Sequence, residues 1–341
     1  MQLAFVEVAF VAAFAAALAA LLIIGLRPFF LRYALARPNA RSSHSKPTPQ
    51  GGGIAVIGSI IAALAVGSLL FSSLLEDPTH MAIVIASAVG LAIVGATDDV
   101  RPLEPLPRLL LQVVAVTIVI AALPGELRVF PALPWWVERA CMLIGGVWLV
   151  NLVNFMDGID WITVVEVVPI AAALAVFGLL GALPQDATIV AFALCGAMIG
   201  FAPFNRPVAK LFLGDVGSLP IGLLLGWLLA LLAGNGHITA AFLLPLYYLA
   251  DATITLLRRL FRGEHVTQAH RSHYYQRAMD TGLTVYQIVG RIFGINILLI
   301  GLAFLSLMNT ARLTQVALLL LGCMLVGALL WNFSVGKRPG H

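Results

Sequence analysis

Residues 214–234 read GDVGSLPIGLLLGWLLALLAG, a carboxylate between two glycines followed at once by a long apolar run. About 20 such residues cross the hydrocarbon of a bilayer as a helix. An acidic residue at the mouth of a membrane helix is expensive to keep, so Asp215 reads as a functional candidate. Gly214 and Gly217 permit close backbone approach beside it. The start of a helix is also where phosphate binds well, through free N–H groups, although Asp215 or Ser218 could serve only as a cap.

The rest of the chain repeats this arrangement of short polar islands between apolar segments. It has 341 residues, of which 61% are hydrophobic and 11% charged, and a mean hydropathy of +1.00. That composition excludes a soluble globular domain, and backbone satisfaction in lipid leaves helices for runs of this length. The expected fold is all-α, a polytopic membrane bundle read as one domain over 1–341. Eleven spans are expected, near 3–26, 52–74, 80–97, 108–123, 139–155, 162–183, 187–204, 217–234, 238–260, 284–307 and 312–333. The first lacks a preceding basic stretch and is too long for a leader core, so it reads as a span.

Basic residues concentrate in loops on the cytoplasmic side of membrane proteins. With eleven spans, one side holds Arg32, Arg37, Arg41, Lys46, Arg101, Arg108, Arg206, Lys210, Arg262, Arg271, Arg277, Lys337 and Arg338. Arg27, Arg258, Arg259 and Arg291 flank that side, while the other holds only Arg128, Arg139 and Arg312. The N-terminus is therefore expected outside and the C-terminus in the cytoplasm. The net charge of +4 reflects this bias and gives no sign of a nucleic-acid surface. Cys141, Cys195 and Cys323 are isolated within spans, which excludes a disulfide framework or a cysteine zinc site.

All the polar islands fall on the expected cytoplasmic side. Asp98 and Asp99 end the third span. Adjacent helical residues diverge by about 100°, so the two need not face one ligand. A paired acid at a helix C-terminus opposes the dipole and suggests a compensating cation. Asn151, Asn154 and Asp157 recur every third residue, which aligns them on one helical face. Gly158 then ends the helix and leaves Asp160 in the loop. Carboxylate and amide oxygens suit a hard cation such as Mg2+, with Asp215 and Asn154 the leading ligands. A polar helix end with Asn and Asp as turn residues is the plainer reading.

Two further islands are basic or glycine-rich. His270-Arg271-Ser272-His273-Tyr274-Tyr275-Gln276-Arg277 lies in the longest cytoplasmic loop, where arginine forks match phosphate oxygens. The two histidines can donate hydrogen bonds or a proton. The first cytoplasmic loop carries His44 and Lys46 and runs through Gly51-Gly52-Gly53 into a span, where the glycines could admit a phosphate. His44, Lys46, Asn151, Asp160, Asn205 and Lys210 are the substrate-binding candidates. Asp251 lies inside the ninth span, and an ion pair with Arg258 explains it as well as catalysis does. Glu166 and Trp161 are similarly ambiguous.

In this order, the islands resemble the polyprenyl-phosphate N-acetylhexosamine-1-phosphate transferases, of glycosyltransferase 4 type. The resemblance runs from Ser42 to Arg277. It rests on SSHxxPTPxGGG at 42–53, Asp98-Asp99, NxxNxxDGxD at 151–160, FxGDxGS at 212–218 and His270-Arg271-Ser272-His273. The RSHYYQR form is most similar to the branch initiating O-antigen or capsule-type glycans. Trp161 stands where the family usually has glycine.

The resemblance implies Mg2+ or Mn2+, a UDP-N-acetylhexosamine donor of GlcNAc, FucNAc or QuiNAc type, and undecaprenyl phosphate as acceptor. It also implies the bacterial inner membrane and frequent homodimers. Asp98, supported by Asp99, is expected to act on the lipid phosphate. Asp157 and Asp160 are expected to orient the nucleotide or a metal-bound water, and His270, Arg271 and His273 to hold the diphosphate and the transition-state charge. The rival classes are a secondary transporter or lipid-linked-sugar flippase, whose polar residues gather at the midplane, and a CDP-alcohol phosphotransferase, whose Asp-Gly-Ala-Arg signature is missing.

Overall fold

Prolines and polar caps set where the helices begin. In the computed structural model, which describes residues 5–36, 47–264 and 271–335, α1 (Phe5–Tyr33) leads to a two-residue pairing of β1 (Leu35–Ala36) with β2 (Thr48–Pro49). There follow α2 (Gly52–Leu70), α3 (Pro78–Val100), α4 (Pro105–Ala122), α5 (Trp135–Met156), α6 (Ile162–Leu179), α7 (Gln185–Asn205) and α8 (Asp215–Gly234). Helices α3 and α4 start on a proline, whose missing N–H costs nothing in a first turn. Asp77 caps α3 by accepting from the His80 N–H at 2.9 Å.

The second half holds α9 (Ile238–Leu243), α10 (Leu246–Phe261), α11 (Tyr274–Asp280), α12 (Val285–Met308) and α13 (Arg312–Val335). Ten helices of the described residues are long and apolar enough to cross a membrane. The architecture is thus the expected all-α polytopic bundle. The exception is the ninth expected span, 238–260, which is broken into α9 and α10 at Leu244-Pro245. Pro245 has no N–H to continue a helical ladder. The two pieces still traverse the bundle together. They leave the end where Gly234 packs on Leu127 and arrive where Arg258 donates to the Ser272 carbonyl at 2.8 Å.

Small residues bring the helices close. A Cβ at Gly196 or Gly200 would sit 2.1 or 2.2 Å from the carbonyl oxygens of Ala12 or Ala16, so one small-residue seam holds α7 against α1. Helix α8 is the central element, buried along almost its whole length between α3, α5 and α2. Helix α13 is largely exposed on the outside of the bundle. This arrangement delivers the C-terminal ends of α3, α5 and α7 and the N-terminal ends of α2, α4, α6 and α8 to one end of the bundle.

Candidate active site

The N-terminus of α8 is the hub of that end. Asp99 accepts from the main-chain N–H of Asp215 at 3.0 Å and of Val216 at 3.2 Å, and so caps α8 from a different helix. Its carboxylate is favoured there by the free N–H groups and the helix dipole. Gly214 takes a φ of 77°, and a Cβ would come within 2.6 Å of the Asp99 carboxylate. A Cβ at Gly95 would meet the Asp215 carbonyl at 2.2 Å, so α3 and α8 touch through backbone here.

The glycines of 51–53 serve the same close packing. The N–H groups of Gly52 and Gly53 donate to the carbonyls of Phe212 and Leu213, both at 2.9 Å, and a Cβ at Gly53 would lie 2.2 Å from Gly217. Those amides are spent on the protein itself, which corrects the expectation that they receive a phosphate. Gln50 Nε2 donates to the Asp99 carbonyl at 3.0 Å, tying this strap to α3.

Asp98 and Asp99 diverge as their positions on the helix dictate. Asp98 accepts from the Leu103 N–H at 2.6 Å and from Arg108 at 2.7 Å. Arg108, in the first turns of α4, also donates to Asn154 Oδ1 at 2.6 Å and pairs with Asp215 Oδ2 at 3.0 Å. Asn154 Nδ2 in turn donates to Asp215 Oδ1 at 2.7 Å and to Ser218 at 2.9 Å. Four helix ends thus meet at one guanidinium. In the sequence Arg108 counts only as a loop cation. Its signal was a charged residue ten positions after Asp98, at the start of an apolar run.

This donor set fits a hard divalent cation. Oxygens of Asp98, Asn154 and Asp215 already converge on one positive group, and carboxylate and amide oxygens are the ligands Mg2+ takes. No group of three or more His, Cys, Asp or Glu gathers as a ready-made metal site among the described residues. The amide of Asn154 falls outside that class, so the two observations agree.

The 151–160 island separates into three environments. Asn151 Nδ2 donates to Gln112 at 2.6 Å and to the Val147 carbonyl at 2.8 Å, so it faces α4. Asp157 follows the end of α5 and accepts from the Thr163 hydroxyl of α6. Burial pushes its carboxyl up to about 6; the Thr163 bond lowers it, and the nearby Asp99 and Asp160 raise it further. Asp160 accepts from the Ala209 N–H at 2.9 Å and holds the 206–212 loop.

Two of the substrate-binding candidates lie elsewhere. Asn205 is buried and spends its amide on the main chain, accepting from the Trp161 N–H at 2.8 Å and donating to the Leu211 carbonyl at 3.0 Å. It fixes the loop and presents nothing outward. Trp161 takes a left-handed φ of 66° and anchors its indole on the Ala202 carbonyl at 2.7 Å. A glycine would reach that φ without strain; here the Asn205 and Ala202 contacts hold the tryptophan in place. Lys210 is exposed on the same loop. His44, Lys46 and His270 lie outside the described residues.

Asp251 organises the basic island. Its buried carboxylate accepts from the N–H groups of Tyr274 and Tyr275 at 2.9 and 3.2 Å, and from Tyr247 and Thr255 at 3.2 and 3.3 Å. His273 Nδ1 stands 3.3 Å away and its ring stacks on Tyr275. The expected ion pair with Arg258 is replaced by these bonds, because Arg258 turns to Ser272 and stacks over Tyr274. Tyr275 reaches the Phe155 carbonyl at 3.3 Å, and a Cβ at Gly158 would sit 2.0 Å from its hydroxyl. Helix α11 is thereby pressed onto the end of α5. Arg271 is partly exposed and pairs with Asp280 at 3.4 Å.

Asp157 gives a prediction in pH. Its carboxyl titrates higher in the fold than the ordinary 3.8, so the fold holds the proton more tightly than the unfolded chain does. Its contribution to stability is complete below 3.8 and is lost as pH rises through about 6. If the ionised form serves transfer, the rate should rise through that same window. Thr163→Val removes a bond to the charged form and should move the acid limb up by about one unit. An unmoved limb in the pH–rate profile would remove Asp157 from the reaction.

The chain is similar in sequence to known proteins over much of its length. Residues 80–233 match the family described as Glycosyl transferase family 4. The chain is 27% identical over 292 residues to the "Probable undecaprenyl-phosphate N-acetylglucosaminyl 1-phosphate transferase" of Bacillus subtilis, covering 77% of this chain and 76% of that protein. It is 26% identical over 285 residues to the "Decaprenyl-phosphate N-acetylglucosaminephosphotransferase" of Mycolicibacterium smegmatis, covering 73% and 69%. It is 29% identical over 215 residues to the "Phospho-N-acetylmuramoyl-pentapeptide-transferase" of Bacillus licheniformis, covering 54% and 62%. Asp98, Asp99, Arg108, Asn154 and Asp215 all lie inside the matched region, whereas Asp251 and α11 lie beyond it.

Proposed function

We propose that the chain is a polyprenyl-phosphate hexosamine-1-phosphate transferase, as its similarity to that family supports, and that it moves an N-acetylhexosamine-1-phosphate from a UDP-sugar to undecaprenyl phosphate. An oxygen of the lipid phosphate attacks the phosphorus that carries the sugar. The bond from that phosphorus to the bridging oxygen breaks, and UMP leaves. We read the step as the initiation of a lipid-linked surface glycan of O-antigen type in the bacterial inner membrane. The observation that carries the reading is the meeting of Asp98, Asn154 and Asp215 round one positive charge at a single end of a membrane bundle.

Two phosphates must approach against their repulsion, so fixed positive charge has to meet them. Asp215 and Asn154, with Asp98 beside them, would hold Mg2+, which when bound supplies Lewis-acid neutralisation of phosphate oxygens. Asp99 keeps the α8 N-terminus in place, and Asp157 can take a proton or hold the donor. Arg271, carried by the Asp251-fixed loop, would bear on the diphosphate, while His273, buried against Asp251 and Tyr275, helps to fix that loop. The 17 to 3 division of basic residues supports a cytoplasmic face for this end, an outward N-terminus and a cytoplasmic C-terminus.

The acceptor's tail has a candidate berth. An apolar cavity of about 300 Å³ lies between α4, α5, α8 and α9, lined among others by Val116, Leu149 and Trp227. Val116 is two helical turns along α4 from Arg108, roughly 12 Å at 1.5 Å per residue. A prenyl chain seated there would bring its phosphate near the Arg108 cluster.

The test is transfer by purified protein in detergent with radiolabelled UDP-GlcNAc, UDP-FucNAc and UDP-QuiNAc, undecaprenyl phosphate and Mg2+. One donor should give butanol-extractable label with stoichiometric UMP, abolished by EDTA. Absence of lipid-linked label with every donor would end this reading.

A further inference from the structure

We propose that Arg108 is an exchangeable cation: its guanidinium fills the seat formed by Asp98, Asn154 and Asp215 until a divalent cation displaces it, and the freed guanidinium then serves the phosphates. The proposal rests on the metal-dependent reading above and adds an internal competitor to it. Three observations carry it. The guanidinium lies 2.7 Å from Asp98, 2.6 Å from Asn154 and 3.0 Å from Asp215, touching every oxygen donor assigned to the metal. Seat and guanidinium therefore cannot be used together in this posture.

The posture is also incomplete. The Arg108 Nε–H is buried without any hydrogen-bond partner. Arg108 shares this feature with Arg139 and Arg258, and a buried unpaired donor weakens its hold on the seat. Finally, the seat does not depend on Arg108 to keep its shape. Asn154 is held by Asp215 and Ser218 through its Nδ2, so its carbonyl oxygen stays aimed at the seat when the guanidinium leaves. Asp98 stays fixed by the Leu103 N–H. Arg108 itself lies on the outer helix α4, next to exposed Leu106 and Leu109, and a long side chain there has room to swing outward.

An occupied seat lowers apparent affinity by the fraction of molecules in which it is free. The experiment is Mn2+ binding to the full chain in detergent, followed by electron paramagnetic resonance, for wild type and Arg108→Gln. If the guanidinium fills about nine seats in ten, Arg108→Gln should bind Mn2+ about tenfold more tightly, while its transfer rate falls. Equal or weaker binding by the variant would overturn the exchange. No Mn2+ binding by either protein would overturn the metal reading, and the exchange with it.

Wild-type protein gives a second measurement that does not depend on a variant folding. Phenylglyoxal modification mapped by mass spectrometry should show Mn2+ accelerating reaction at Arg108 several-fold, with Arg128 at the far end of the bundle unchanged. If the reactivity of Arg108 is the same with and without bound Mn2+, the guanidinium does not leave and the proposal fails.

Discussion

Asp215→Ala should abolish transfer, lowering kcat by at least about 10³-fold, while the bundle remains folded. The side chain is the point at which the donor set closes. It meets Asn154 at 2.7 Å and Arg108 at 3.0 Å. Without it the seat keeps only Asp98 and a carbonyl oxygen, too little negative charge to hold a divalent cation against water. Folding should survive because the capping of α8 runs through the Asp215 main-chain N–H and the Asp99 side chain, neither of which the substitution removes. Losing one partner of a half-screened pair should cost about 1 kcal/mol of stability. The decisive comparison is the rate in matched detergent preparations beside their thermal unfolding. Near-normal turnover by a folded variant would remove Asp215 from the chemistry.

The carboxylates were legible in the sequence because the membrane makes them so. Asp98, Asp99 and Asp215 stand at the ends of apolar spans, where only function or a partner offsets their cost. Spacing was less informative. Three residues on a helix turn through about 300°, so Asn151 and Asn154 diverge by about 60°. That is enough for Asn151 to meet Gln112 on α4 while Asn154 meets Asp215 on α8. Arg108 was hidden among basic residues that all obey the same loop bias, and nothing local marks one of them as the centre. The break in the ninth span had a visible cause in Pro245. Its consequence, an amphipathic α10 with Asp251, Thr255 and Arg259 on its buried side, depends on what packs against it. Helix α11 was unreadable as a helix because it is only seven residues long and its N-terminus is held by Asp251 of α10 as well as by its own His273–Gln276 capping box.

That last contact predicts the second large effect. Asp251→Ala should lower transfer about a hundredfold by releasing the loop that carries Arg271 and His273. The carboxylate offers only acceptors, and around it stand only groups that can donate: the Tyr274 and Tyr275 N–H groups, the Tyr247 and Thr255 hydroxyls, and His273 Nδ1. Asp251→Asn should therefore fail as well, because its NH2 turns one donor against others. Removing the carboxylate leaves buried donors unpaired at a cost of about 1–3 kcal/mol each before relaxation. The cheapest relaxation is for α11 to lift away, since it is short and bounded by loops. With it goes the Tyr275 contact to Phe155 that presses the loop onto the end of α5. Limited proteolysis should then cut within 262–283 faster than in wild type, with helical circular dichroism little changed. KM for the UDP-sugar should rise along with the fall in kcat, because a displaced loop weakens donor binding as well as the reaction. An Asp251→Ala protein with wild-type kcat and KM would mean that α11 is only a connection between α10 and α12.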